Sequence, residues 1–236
     1  MQTAAVHENN PQPLEEASPL EILRAGIEAA AGPVSIACSF SVEDVVLIDM
    51  VHRTGLDVGI FAIDTGRLNE ETYEVAEAVT QRYGVKLDWY FPDRTAVESL
   101  ERDKGLFSFR ENLQNRQECC AIRKVEPLQR ALAGLSGWVT GLRREQSITR
   151  SGLHPLEIDE TANDPIKINP LLEWTEEEIW DYAAMHQIPV NRLHKQGYPS
   201  IGCAPCTRAV EAGEHPRAGR WWWENPEHKE CGLHRR

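Results

Sequence analysis

An apolar run, a polar loop and a helical pattern follow one another repeatedly along the first part of the chain. This repeat constrains the fold more than any other feature. Val34 to Cys38 is a short apolar run, followed by the loop 39-SFS-41 and by VEDVVLIDMVHR, which has helical periodicity and stops at Gly55. VGIFAI (58–63) is a second apolar run, followed by the loop 64-DTGR-67 and a helical pattern from about Asn69 to Tyr83. VKLDWY (85–90) is a third. Short apolar runs bounded by polar loops read as buried strands, and strands alternating with helices predict an α/β fold with a mainly parallel sheet and flanking helices. Ligands of such sheets bind beyond the carboxyl ends of the strands, where SFS and DTGR both lie.

The remaining segments extend this pattern. Ser18-Pro-Leu-Glu21 has capping-box spacing with Pro19 at the first helical position, and predicts a helix to about Ala31, where Gly32-Pro33 ends it. Residues 93–133 read as mostly helical, with Cys119-Cys120 opening the last helix. Trp138 to Leu142 reads as a further strand that runs into an arginine-rich loop. IKINPLL leads to a second capping box at Thr175 and a helix to about His186. From Asn191 the chain is rich in Gly, Pro, Arg and Trp and has no period. A length of 236 residues suits one sizeable core. The organisation expected is a flexible leader (1–17), an α/β core (18–190), and a segment (191–236) that carries a cysteine pair and an irregular C-terminal tail.

A net charge of −12 and a pI near 5.2 argue against a nucleic-acid partner. Positive charge is nevertheless concentrated locally, in RREQSITR (143–150) and in the three arginines between Arg208 and Arg220. Local basic sites in an acidic chain suit a small anion. No apolar run approaches the roughly 20 residues needed to span a bilayer, and the polar, acidic N-terminus has neither the signal-peptide nor the transit-peptide pattern. The expectation is therefore a cytoplasmic protein without membrane association. In a reducing compartment, six cysteines point to metal binding or catalysis before disulfides.

Cys119-Cys120 and 203-CAPC-206 offer four thiolates in two close pairs, enough for a metal site if the fold joins them. A CxxC alone could instead be a redox dithiol. Zinc is the usual occupant of four-cysteine sites. Adjacent cysteines on a helix diverge by about 100°, however, which suits the separate iron atoms of an iron–sulfur cluster somewhat better than a single ion. Lys124, about one turn beyond Cys120, could link such a site to an anionic substrate. Cys38 ends a buried strand and reads as a small core residue.

Ser39 and Ser41 can cap the following helix or offer hydroxyls and helix-start N–H groups to an anion. DTGR adds a flexible glycine and an arginine, and GLRREQSITR adds three more guanidiniums with forks suited to phosphate or sulfate. In the tail, Arg217, Arg220, His228, Lys229 and His234 surround Cys231 with potential positive charge. Cations favour a thiolate, so Cys231 reads as a functional thiol.

The stretches SFSVEDVVL, DTGRLNEETY, CCAIRKVEPL, GLRREQSITR, GCAPCTR and KECGLH, in this order from about residue 36 to residue 234, resemble the assimilatory adenylyl-sulfate and phosphoadenylyl-sulfate reductases, specifically the bacterial type that carries a [4Fe-4S] cluster. Members with both CC and CxxC typically use adenosine 5′-phosphosulfate (APS), and those lacking both use the 3′-phosphorylated form (PAPS). The resemblance implies an adenine-nucleotide α-hydrolase-like fold related to the ATP pyrophosphatases. It also implies a cluster on Cys119, Cys120, Cys203 and Cys206. The phosphosulfate would be held by Lys124, Arg217 and Arg220, and the rest of the substrate pocket by Ser39, Ser41, Thr65, Gly66, Arg67, Arg143 and Arg144. One departure is visible: where the ATP-cleaving relatives have a loop like SGGxDS, this chain has SFSVED. Phe-Ser removes the close backbone approach that Gly-Gly permits, which weighs against ATP cleavage.

By the same resemblance, Cys231 attacks the sulfur of the phosphosulfate, AMP leaves, and thioredoxin releases sulfite from the S-sulfocysteine; the cluster organises the site and does not pass electrons to the substrate. The competing readings are a PAPS reductase, a tRNA thiolase of the ATP-pyrophosphatase type, and a zinc-stabilised nucleotide-binding module. A homo-oligomer is compatible with the sequence, which does not fix the oligomeric state.

Overall fold

The computed structural model describes residues 14–146, 152–160 and 164–225. Its centre is a six-stranded sheet of order β3-β2-β1-β4-β6-β5. The strands are β1 (Val34–Cys38), β2 (Gly59–Ile63), β3 (Asp88–Tyr90), β4 (Gly137–Val139), β5 (Leu156–Ile158) and β6 (Ile166–Ile168). All neighbours pair in parallel except β5, which runs antiparallel to β6 on the edge. The helices are α1 (Pro19–Ala30), α2 (Val42–Thr54), α3 (Glu70–Tyr83), α4 (Arg94–Lys104), α5 (Leu113–Cys120), α6 (Glu126–Leu132) and α7 (Glu176–His186).

Both capping boxes form as expected. Ser18 and Glu21 satisfy the first turn of α1, and Thr175 and Glu178 that of α7. Left-handed Gly55 and Gly84 end α2 and α3. Helix α2 carries weak amphipathicity because it is buried on nearly every side: all residues from Val42 to Val51 are buried, three acids among them. One of these, Asp49, accepts from the hydroxyls of Tyr83 at 3.0 Å and Tyr182 at 2.8 Å. Those bonds tie α2 to α3 and α7, and each is needed because a buried carboxylate without partners is costly.

The structure differs from the sequence reading at the shortest elements. Only Asp88–Tyr90 of the VKLDWY run pairs, and the fourth strand covers Gly137–Val139 without reaching Leu142. Strand β5 has no sequence signal: it is three residues long and Ile158 is 68% exposed. Cys119 and Cys120 close α5 and do not open the next helix; a π turn, Ala121–Val125, separates them from α6. Pro127, lacking an N–H, sits in the first turn of α6, where that loss is harmless.

Chain order runs outward from β1 to β3 and then jumps to β4 on the other side of β1. That reversal is a topological switch point, and it opens a crevice between the ends of β1 and β4. No helix among the described residues is long and apolar enough to cross a membrane.

Candidate active site

A cavity of about 460 Å³ occupies the switch point. One side is the loop after β1. Ser41 caps α2, its hydroxyl accepting from the Asp44 N–H at 3.4 Å. The Asp44 carboxylate reaches back and accepts from the Ser39 N–H at 2.7 Å and the Ser39 hydroxyl at 2.8 Å. Burial pushes the Asp44 carboxyl up to about 6 despite these bonds, and neighbouring Glu43 adds to the rise. Between the serines, Phe40 takes φ +61, a left-handed conformation more natural to glycine. It is held there because its ring is buried and stacks on Trp89 at 5.6 Å. The loop thus adopts a glycine-like backbone with a phenylalanine, and the ring is directed into the core.

The opposite side comes from the end of β4. A Cβ on Gly141 would fall 2.7 Å from Asp44 Oδ1 and 2.8 Å from Glu43 Cβ, so only glycine lets this strand end approach the start of α2. Arg143, buried, donates through Nε to Glu43 at 3.0 Å and through Nη1 to Glu145 at 3.0 Å. Gln146 donates to the same Glu43 oxygen at 2.8 Å. Arg143 therefore shapes the cavity by bridging two carboxylates. The rest of the lining includes Trp138, Thr140, Glu176 and His194, whose imidazole burial holds below the ordinary histidine range.

Of the substrate-binding residues read from the sequence, Ser39, Ser41, Thr65, Lys124, Arg143, Arg217 and Arg220 line this cavity together. Gly66, Arg67 and Arg144 do not. Arg144 turns outward to Glu173, at 2.5 Å, and to the Leu153 carbonyl at 3.1 Å. Arg67 points to Glu101 at 2.9 Å, the Leu106 carbonyl at 2.8 Å and the ring of Phe109 at 4.9 Å. Each of these two guanidiniums is drawn from the cavity by a carboxylate brought close only by the tertiary fold. Gly66 has φ +70 and closes the turn that carries Arg67. Cys231 lies outside the described residues, with His228, Lys229 and His234.

The cysteine pairs come from segments far apart in sequence and meet beside the cavity. Cys203 lines the cavity, and Thr65 Oγ1 lies 3.2 Å from its sulfur. Cys119 and Cys206 pack in one apolar cluster with Phe109 and Trp223. Burial pushes the Cys206 thiol up to about 12, and Cys203, Cys120 and Cys119 raise it further. Burial also raises Cys119, while Arg67 and Arg123 oppose the rise. Among the described residues no three His, Cys, Asp or Glu side chains are set to hold a single metal ion. The donor set instead fits a larger, electron-rich group. Four thiols converge, and the buried indole N–H groups of Trp221 and Trp223 next to them meet no acceptor among the described residues. A bound sulfur cluster would provide acceptors for such donors.

Several participants had no sequence signal. Glu43 and Asp44 become cavity walls through the close approach of the chain after β4. Arg116 and Arg123, in a stretch read only as helical, are both buried beside the cysteines. Arg123 donates to the Thr65 carbonyl at 2.8 Å and pairs with Glu101, which fixes the DTGR turn against the cysteine segment.

Comparison with known proteins agrees with this geometry. Residues 33–209 match the phosphoadenosine phosphosulfate reductase domain. An adenosine 5′-phosphosulfate reductase of Allochromatium vinosum is 50% identical over 95% of this chain and 87% of its own length. A chloroplastic 5′-adenylylsulfate reductase of Arabidopsis thaliana is 46% identical over 94% of this chain, which spans only 50% of that longer protein. Among solved structures, a phosphoadenylyl-sulfate reductase from Candida auris in complex with phosphate superposes with a TM-score of 0.70 at 30% identity, covering 84% of this chain and 92% of its own. An FMN adenylyltransferase from Candida glabrata, with a TM-score of 0.54 at 15% identity over 98% of this chain and 81% of its own, shares the fold alone. The sheet order, the cavity at the switch point and these matches establish that the chain belongs to the phosphoadenosine phosphosulfate reductase domain family.

Proposed function

We propose that this chain reduces APS to sulfite and AMP in sulfate assimilation, through an S-sulfocysteine on Cys231 and with thioredoxin as the reductant. The observation that carries the reading is one shared cavity: Lys124, Arg217 and Arg220 line the switch-point cavity together with Cys203. Cationic side chains at the end of a nucleotide-sized crevice suit the phosphosulfate, and the crevice itself suits the nucleoside.

The chemistry is nucleophilic covalent catalysis in two steps. The Cys231 thiolate attacks the sulfate sulfur; an S–S bond forms, the S–O bond to phosphate breaks, and AMP leaves with the electron pair. Lys124, Arg217 and Arg220 stabilise charge on the phosphosulfate as this bond breaks. One thioredoxin thiolate then attacks the Cys231 sulfur and sulfite leaves with the electron pair. The second thioredoxin thiol resolves the mixed disulfide, returning the Cys231 thiolate, so that the dithiol has supplied both electrons.

Cys119, Cys120, Cys203 and Cys206 would hold a [4Fe-4S] cluster, which would supply a rigid, charged scaffold for this side of the site. Free thiols at Cys38, Cys119, Cys120, Cys203 and Cys206 suit a reducing compartment, and we place the reaction in the cytoplasm. The relatives that match over nearly the whole chain favour APS over PAPS. Turnover of the two nucleotides with thioredoxin tests the assignment: APS should be the better substrate, and a preference for PAPS would replace the reading with PAPS reduction.

A further inference from the structure

The described chain ends in a run that reaches both the cavity and the cysteine segments. Arg217 and Arg220 line the cavity, and Arg220 pairs with Thr207, next to the second cysteine pair. The Trp221 N–H donates to the Cys206 carbonyl at 3.1 Å, and the Glu224 N–H to the Trp221 carbonyl at 2.8 Å. Glu224 then accepts a two-pronged bond from Arg116 of α5, Nε to Oε1 at 2.9 Å and Nη2 to Oε2 at 3.0 Å. Both side chains are almost fully buried, 2% and 7% exposed. Arg116 lies one helical turn before Cys120 and also reaches that thiol. The indole of Trp221 is held between two guanidiniums, with Arg116 at 4.7 Å and Arg220 at 4.8 Å from its ring. Its backbone, at φ +40, is in a conformation that persists only where surroundings over-determine it.

We infer that the Arg116–Glu224 pair is a positioning device for sulfur transfer: it fixes the root of the C-terminal segment to the cysteine helix and thereby sets where Cys231 can reach. A surface anchor would not need this geometry. A buried pair carries a large desolvation penalty, and its best-attested advantage is a unique arrangement of the parts it joins. A bidentate fork also sets angle as well as distance. From Asn225 to Cys231 the chain advances six residues, an extended reach of at most about 22 Å. A spacing this short ties the range of positions open to the thiol to the place where Glu224 is fixed. The inference rests on Cys231 as nucleophile and adds residues that act through the backbone, without touching the substrate.

The test uses the full-length, iron-loaded protein and its Glu224→Gln, Glu224→Ala and Cys231→Ser variants. Sulfonate transfer from APS to the C-terminal peptide is timed in a first turnover without reductant, by mass spectrometry. AMP affinity is measured by titration, and the visible absorption reports the cysteine centre. Glu224→Ala should transfer roughly 10²-fold more slowly, the usual scale for misplacing a reacting group. Glu224→Gln, which keeps the shape and one acceptor, should be slower by about tenfold, in line with the loss of one charge-assisted bond. In both, AMP affinity and absorption should match the parent, a split that general loss of structure would not produce. Should Glu224→Ala fail to fold, Glu224→Gln decides alone. Transfer at the parental rate, or AMP affinity falling in step with transfer, overturns the inference. If the parent itself carries no sulfonate on Cys231, the nucleophile assignment falls and takes this one with it, a result distinguishable because it needs no variant.

Discussion

The two walls of the cavity are built in opposite ways. The wall formed by the ends of β1 and β4 is backed by the sheet: β1 pairs directly with β4, Ser39 bonds Asp44 within one loop, and Arg143 and Gln146 bond Glu43 across the strand ends. The wall that carries the cysteines is assembled by side-chain contacts between segments that share no strand pairing there. Thr65 meets Cys203 across 138 positions, and Arg116 meets Glu224 across 108. The sheet supports the first wall whatever is bound. The second is held by guanidinium–aromatic stacks and ion pairs. The first wall should therefore bind nucleotide on its own, and the second should govern transfer.

The strongest way to break this division is Cys231→Ser. Sulfite formation should be abolished while the nucleotide still binds; substantial residual turnover would place the nucleophile elsewhere. Lys124→Ala comes next. Removing one charged donor at the developing anion should lower kcat for APS by roughly 10²–10³-fold, with a loss that varies with ionic strength. Normal turnover in this variant would remove Lys124 from the reaction.

Titration sharpens the first wall. The Asp44 carboxyl is raised to about 6 in the fold from 3.8, so it is neutral below that range and charged above it. The raised value means the native state favours the protonated form. The stabilisation it supplies below pH 4 is lost as pH rises through 6, on the order of 3 kcal/mol from a shift of about two units. Charging Asp44 also adds a negative group beside an anionic ligand. Affinity of the Cys231→Ser protein for APS should thus decline as pH rises through about 6, and Asp44→Asn should flatten that decline. A profile unchanged by Asp44→Asn would assign the titration to another group.

Thr65→Val should have the smallest effect. It removes one hydrogen bond to the Cys203 sulfur, worth about 1 kcal/mol. Iron release to a chelator should quicken several-fold with AMP binding unaltered; unchanged release would detach Thr65 from the cysteine centre.

The same contrast explains what could be read from the sequence. The SFS and DTGR loops, α2 and both capping boxes were legible because strand, helix and cap signals act over a few residues. The cysteine pairs were legible by residue type, because few chemistries use four thiols. The destinations of Arg67 and Arg144 were not, since Glu101 and Glu173 compete for them through contacts set only by the tertiary fold. Arg116 was hidden for the same reason: in a polar helix of low periodicity, nothing marks the one guanidinium that will be buried against a residue near the chain's end. Strand β5 was too short and too exposed to leave a pattern.

The most direct measurement is peptide mapping of the iron-loaded protein after a single turnover with APS in the absence of any thiol reductant. Sulfonate should appear on Cys231 in an amount equal to the AMP released, with none on Cys119, Cys120, Cys203 or Cys206. Sulfonate on any of those four, or sulfite released without a sulfonated protein, would contradict the division between cysteines that build the site and the one that reacts.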